Sequence, residues 1–188
     1  MKAFRIGLPS TVSYCGKEYR LRPAWPNVLT AADVLSDPAL PDGIKISAAL
    51  DLVIASQHPA DVKLLEAAFS TLNPDAKTGG KKLLDFNQDW EYIVSGILQA
   101  YGIDLYAAPR LHWMRLRSML ESIPNNTRIA EIMAIRGMEM PKPTKYNGEE
   151  RARIARLKAQ FAIKAAPSGL SEGLNGLFNA LAAQARQK

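Results

Sequence analysis

Residues 84–105 read LDFNQDWEYIVSGILQAYGIDL and contain a helix together with the signals that start and stop it. Asp85 is placed to accept from the first amides, and Gln88, three residues on, to reach back to the amide of Asp85, the reciprocal arrangement that opens a helix. Asp89 and Glu91 put negative charge in the first turn, where the helix dipole favours it. Trp90, Ile93, Val94, Ile97, Leu98 and Tyr101 recur at three-and-four spacing and line one face. Gly102 is free to turn left-handed and end the helix, with Ile103 able to fold back onto the last turn.

Outward from this block the chain reads as short helices divided by clear punctuation. Downstream, Pro109 suits the start of a helix carrying Leu111, Trp113, Leu116, Leu120 and Ile123, which Pro124 ends. Asn126 or Thr127 caps the next, with Ile129, Ile132, Met133 and Ile135 inside it. Met138 to Tyr146, with Pro141 and Pro143, reads as an extended connection. Asn147 and Glu150 then repeat the capping-box pattern ahead of a basic helix whose arginines, Arg151, Arg153 and Arg156, surround a stripe of Ile154, Leu157 and Phe161. Pro167-Ser168-Gly169 breaks the chain, and Leu170, Leu174, Leu177, Phe178 and Leu181 mark one apolar face of a last amphipathic helix. An isolated helix of about 18 residues is marginal in water, so this one calls for a partner: the body of the protein, a second copy, or another chain.

Upstream, residues 75–82 (DAKTGGKK) form a loop. Before it lies a helix with Val62, Leu65, Ala68, Phe69 and Leu72, opened at Pro59 and stopped at Asn73-Pro74. Another, with Ile46, Ala49, Leu50, Val53 and Ile54, follows Pro41-Asp42-Gly43, and Thr30 with Asp33 can open a brief helical turn. Val12, Tyr14, Tyr19 and Leu21 flank Cys15-Gly16-Lys17-Glu18 in the pattern of a short hairpin, which is too small to stand alone and so either packs on the helical body, the expected arrangement, or pairs with another chain. The expected fold is mainly α: a compact multi-helix domain over residues 23–166, a small N-terminal hairpin within 1–22, and the amphipathic extension 167–188.

With 188 residues, 47% of them hydrophobic, the chain can bury one respectable core. No stretch approaches the roughly 18 apolar residues that cross a bilayer, and the start, MKAFRIGLPST, lacks the apolar run of a secretion signal, so the expected location is the cytoplasm. A single cysteine and two histidines, His58 and His112, leave too few ligands for a zinc site, and neither a metal nor any other cofactor is expected. The net charge of +6 is uneven: residues 1–107 hold 10 basic and 12 acidic groups, residues 108–188 hold 14 and 6. Such a basic half can steer an acidic partner or nucleic acid by long-range attraction.

Three motifs suggest chemistry and fail on context. Gly169-Leu-Ser-Glu-Gly173 fits the nucleophile-elbow spacing, but an alanine-rich helix precedes it and no Asp or His follows Ser171. Thr78-Gly79-Gly80-Lys81-Lys82 lacks both the early glycine and the hydroxyl after the lysine that a phosphate loop needs. Trp25, Trp90 and Trp113, with Tyr92, Tyr101 and Phe86, could stack bases, but aromatics within helical patterns are more often core and modules that stack bases mostly do so on sheets, so nucleic-acid binding is a secondary expectation.

The central helix, Leu111-His112-Trp113, the turn Ile123-Pro124-Asn125-Asn126-Thr127-Arg128, Ile135-Arg136 and the basic stretch from Arg151 to Lys164 with its LKAQFAIK string occur in an order that resembles the bacteriophage gene-product-fifteen family of siphophages and related prophages. Members are typically encoded between the major tail protein and the tape-measure protein. The resemblance implies a tail assembly chaperone, not an enzyme, that works in the host bacterial cytoplasm and keeps the tape-measure protein soluble while tail subunits polymerise, with contacts to other tail subunits or to a second copy as further expectations. Its expected partner-binding residues are Leu170, Leu174, Leu177, Phe178 and Leu181 with Arg151, Arg153 and Arg156. The alternatives are a structural tail or connector component retained in the particle, and a nucleic-acid-binding regulator.

Overall fold

A computed structural model describes residues 7–74 and 82–164. Among these the chain is mainly α-helical, with strands β1 (Thr11–Tyr14) and β2 (Lys17–Arg20) followed by helices α1 (Trp25–Ser36), α2 (Asp42–Val53), α3 (Val62–Leu72), α4 (Trp90–Tyr101), α5 (Trp113–Glu121), α6 (Arg128–Gly137) and α7 (Gly148–Gln160). The expected C-terminal amphipathic helix lies outside the described residues, as does most of the 75–82 loop. The chain divides into two compact units whose segments alternate along the sequence.

The first unit holds residues up to 74 together with 109–118. Its hairpin pairs Val12 with Tyr19 and turns at Cys15 and Gly16, both at positive φ (48° and 74°), the two-residue turn whose twist matches that of the strands. Lys17 and Glu18, read as part of the turn, belong to β2. The strand does not stop competing for partners at its end: Arg22 N donates to Val53 O and Ala55 N to Arg20 O, both at 2.7 Å, so the chain after α2 adds a short third line of pairing. A second bridge joins Ala24 to His112, with Trp113 N donating to Pro23 O at 2.7 Å. Around this frame α1 packs on α2, and α3 on α2 and β1. Leu50, Leu64, Leu65, Phe69 and Leu72 are essentially fully buried, each worth about 1.5–3 kcal/mol on transfer from water. Trp113 donates its indole N–H to Asn73 Oδ1 at 2.8 Å, which satisfies both buried groups.

Several helix starts differ from expectation. α1 opens at Trp25 rather than at Thr30, because Pro26 sits in its first turn, where a missing N–H costs nothing. α3 opens at Val62, not Pro59: Asp61 accepts from Lys63 N at 2.8 Å and makes the better cap. α5 opens at Trp113, not Pro109, with the His112 ring as its cap. Its Nδ1 accepts from Met114 N at 3.1 Å, and Nε2 lies 3.0 Å from Pro9 O, so the tautomer with the proton on Nε2 serves both bonds.

The second unit holds residues 82–108 and 119–164. α6 packs against α4 and α7, and Ile93, Ile97, Leu105, Ile129 and Ile132 form its buried apolar set. The α4 face closest to α6 is kept smooth by Gly96, where a Cβ would fall 2.7 Å from Ile129 Cγ2 and 3.2 Å from Ile123 Cδ1. Gly102 ends α4 at φ 66° as read from the sequence, and Thr127 caps α6, accepting from Ala130 N. Two members of the expected apolar face, Leu98 and Tyr101, are exposed, and the Tyr101 hydroxyl instead lies within bonding distance of the Met119 carbonyl in the last turn of α5 and of the Ser122 carbonyl just past it.

Candidate functional site

Chemistry in the second unit gathers around one side chain. Arg136 falls four residues after Ile132 and seven after Ile129, on the apolar face of α6, and is 5% exposed. Its guanidinium reaches Asp89 with both terminal nitrogens, at 2.5 Å to Oδ2 and 2.8 Å to Oδ1, the two-pronged geometry that suits a carboxylate. It also donates to the carbonyls of Leu83 at 2.9 Å and Phe161 at 2.6 Å. One residue therefore ties the chain before α4, the start of α4, and the end of α7 to α6.

This arrangement corrects the reading of the α4 start. Asp85 does cap, accepting from Asn87 N at 3.0 Å and Gln88 N at 2.9 Å, but it caps a turn at 86–88 ahead of the helix. The residue that returns to the Asp85 amide is Asp89, through Oδ2 at 2.9 Å, not Gln88. Gln88 reaches across to the chain after α7, donating to Ala162 O at 3.1 Å and accepting from Lys164 N at 2.9 Å. Burial pushes the Asp85 carboxyl up, yet the Lys82 ammonium at 2.7 Å and the two backbone amides outweigh it and hold it below its ordinary value.

Residues 138–147 leave α6 as the extended connection read from the prolines, and side chains of α7 hold its backbone. Arg151 donates to the Pro141 carbonyl and Lys158 to the Met138 carbonyl. Asn147 does not cap α7; its side chain accepts from Thr144 N at 2.8 Å and donates to Lys142 O at 2.9 Å. On this braced segment Met138, Met140 and Tyr146 are exposed, Tyr146 at 91%. Arg151 is thus half-buried and occupied in positioning the connection, while Arg153 and Arg156 are exposed and project from the other side of α7. The structure does not bring the three arginines together as one patch. Leu170, Leu174, Leu177, Phe178 and Leu181 lie outside the described residues.

Beside Arg136 a cleft of about 420 Å³ is lined by Lys82, Arg136, Lys158, Ala162 and Ile163. Sequence reasoning had no hold on it, because its cations come from three separate segments; the available signal was the arginine standing on the apolar stripe of α6. Among the described residues no group of His, Cys, Asp and Glu side chains could hold a metal ion, and no helix is long and apolar enough to cross a membrane.

The family described as Bacteriophage Gp15 protein matches residues 66–163, more than half of the chain. The chain belongs to that family. The match runs from α3 through α7, and the Arg136–Asp89 pair, the braced connection and the cleft lie within its span. Membership points to a structural or tail-related phage protein. No curated protein and no solved structure matches the chain.

Proposed function

We propose that this Gp15 protein is a tail assembly chaperone that binds the tape-measure protein in the host cytoplasm and keeps it soluble while the tail tube polymerises. The observation that carries the reading is the family match over residues 66–163. The exposed Met138, Met140 and Tyr146 support it, because unbranched, adaptable methionines and an aromatic on a braced backbone suit many weak contacts with apolar stretches of a long helical client. Weakness is a requirement here: each 1.4 kcal/mol is tenfold in affinity, and a chaperone that growing tube must displace has to remain within reach of that displacement. It acts by binding alone, with no catalytic residue and no cofactor, and the basic half steers the encounter.

The test is co-expression with the tape-measure protein encoded next to it. A tape-measure protein that becomes soluble and co-purifies only when this chain is present supports the chaperone. A chain found in stoichiometric amount in purified particles, with the tape-measure protein insoluble beside it, replaces that reading with a structural tail component. Leu174→Glu or Leu177→Glu is expected to weaken co-purification while leaving the thermal transition in place.

A further inference from the structure

Among the described residues the lining of the cleft beside Arg136 is cationic and apolar: Lys82, Arg136 and Lys158 with Ala162 and Ile163. Its cations differ in how firmly they are held. Arg136 is fixed on Asp89 and is 5% exposed. Lys158 is kept at the wall by its bond to the Met138 carbonyl, which also brings the start of the exposed 138–147 connection to the same rim. Lys82 is 45% exposed and pairs with Asp85. Releasing it strands nothing, because Asp85 retains the amides of Asn87 and Gln88. An exposed ammonium that can leave its carboxylate at little cost is available to a second carboxylate.

We propose that this cleft docks an acidic, amphipathic segment of the client protein, with a carboxylate of the guest between Lys82 and Lys158 and an apolar neighbour on Ala162, Ile163 and Met138. The proposal rests on the chaperone reading and names the chemistry of the segment recognised. Charge complementarity selects the occupant. Among the described residues the lining offers two exposed or rim-held ammonium groups beside apolar side chains, which suits a carboxylate-bearing guest rather than a basic one. The size of the cleft, about 420 Å³, suits a few side chains rather than a whole helix, so the guest inserts two or three residues and leaves the rest of its length on the surface.

The experiment measures binding of overlapping peptides from the adjacent tape-measure protein to the full-length chain, to its Lys82→Glu variant and to Arg153→Glu, an equal charge change on the other side of α7. The expected result is that acidic amphipathic peptides bind, that replacing their glutamates by glutamine abolishes binding, and that Lys82→Glu weakens it about tenfold while Arg153→Glu changes it less than twofold. Equal losses in both variants would make the attraction a diffuse property of the basic half and overturn the cleft. So would preferential binding of basic peptides, or a single-stranded oligonucleotide that binds at the cleft more tightly than any peptide. If the wild-type chain solubilises the tape-measure protein and Lys82→Glu does so equally, the cleft assignment alone falls. If the wild-type chain does not solubilise it and no peptide binds, both readings fall together.

Discussion

The two units solve the same problem of burial with different materials. In the first, apolar side chains fill the interior, and the one buried cation among its described residues, Lys45, is paired 3.7 Å away with Asp42, an exposed residue one turn earlier on α2. In the second, a charged pair stands among the buried residues, with Asp89 at 1% and Arg136 at 5% exposure. An apolar core degrades by degrees, since each removed methylene costs its own increment. A desolvated ion pair is closer to all-or-none: with both partners present it is roughly balanced against its desolvation, and with one removed the other becomes a buried, uncompensated charge.

Arg136→Met tests this most severely. It is expected to cost about 3–5 kcal/mol in denaturant unfolding and to speed amide exchange through residues 83–108 and 119–164, with little change in 7–74. Uniform acceleration across both units would erase the contrast. Gly96→Ala presses a methyl onto Ile129 in the second unit and is expected to cost about 1–3 kcal/mol, read in the same exchange pattern. In the first unit, Trp113→Phe removes the indole N–H together with part of the buried ring system, leaving Asn73 Oδ1 without that donor and a gap beside it, for about 1–3 kcal/mol and with the exchange effect confined to 7–74 and 109–118. The smallest effect is electrostatic. The Tyr14 hydroxyl, 2.6 Å from Asp61, and the Lys63 amide hold the Asp61 carboxyl below its ordinary value, and the same bond pushes the Tyr14 hydroxyl up. A carboxyl depressed by folding contributes stability above its unfolded value near 3.9 and loses it as pH falls toward the folded value. Asp61→Asn is therefore expected to lower stability slightly at neutral pH and to leave it nearly unchanged once the carboxyl is protonated, below about pH 4, so that the acid limb of the profile flattens.

Local physics was legible in the sequence and long-range physics was not. The hairpin, the αL stop at Gly102 and the cap at Thr127 each depend on neighbours a few residues apart, and each stands where the residues indicated. Caps were misread where a distant group competed for the same side chain. Gln88 is taken by residues 162–164, and Asp89, read as a first-turn charge, by an arginine 47 residues away; Asn147 is the exception, held by its near neighbours Lys142 and Thr144. The cleft was invisible for the same reason, while the C-terminal face of Leu170, Leu174, Leu177, Phe178 and Leu181 falls outside the described residues.

The alternation of the two units along the chain has a consequence for the order in which a ribosome delivers them. Residues 109–118 supply the backbone that receives Trp25 and the indole that meets Asn73, yet they emerge only after α4 of the other unit has been made. The first unit therefore stays open while the first half of the second is already outside, and the second closes only when Phe161 brings its carbonyl to Arg136. No single cut in the gene separates them: any stop before residue 119 releases a fragment in which at least one unit still awaits its last piece.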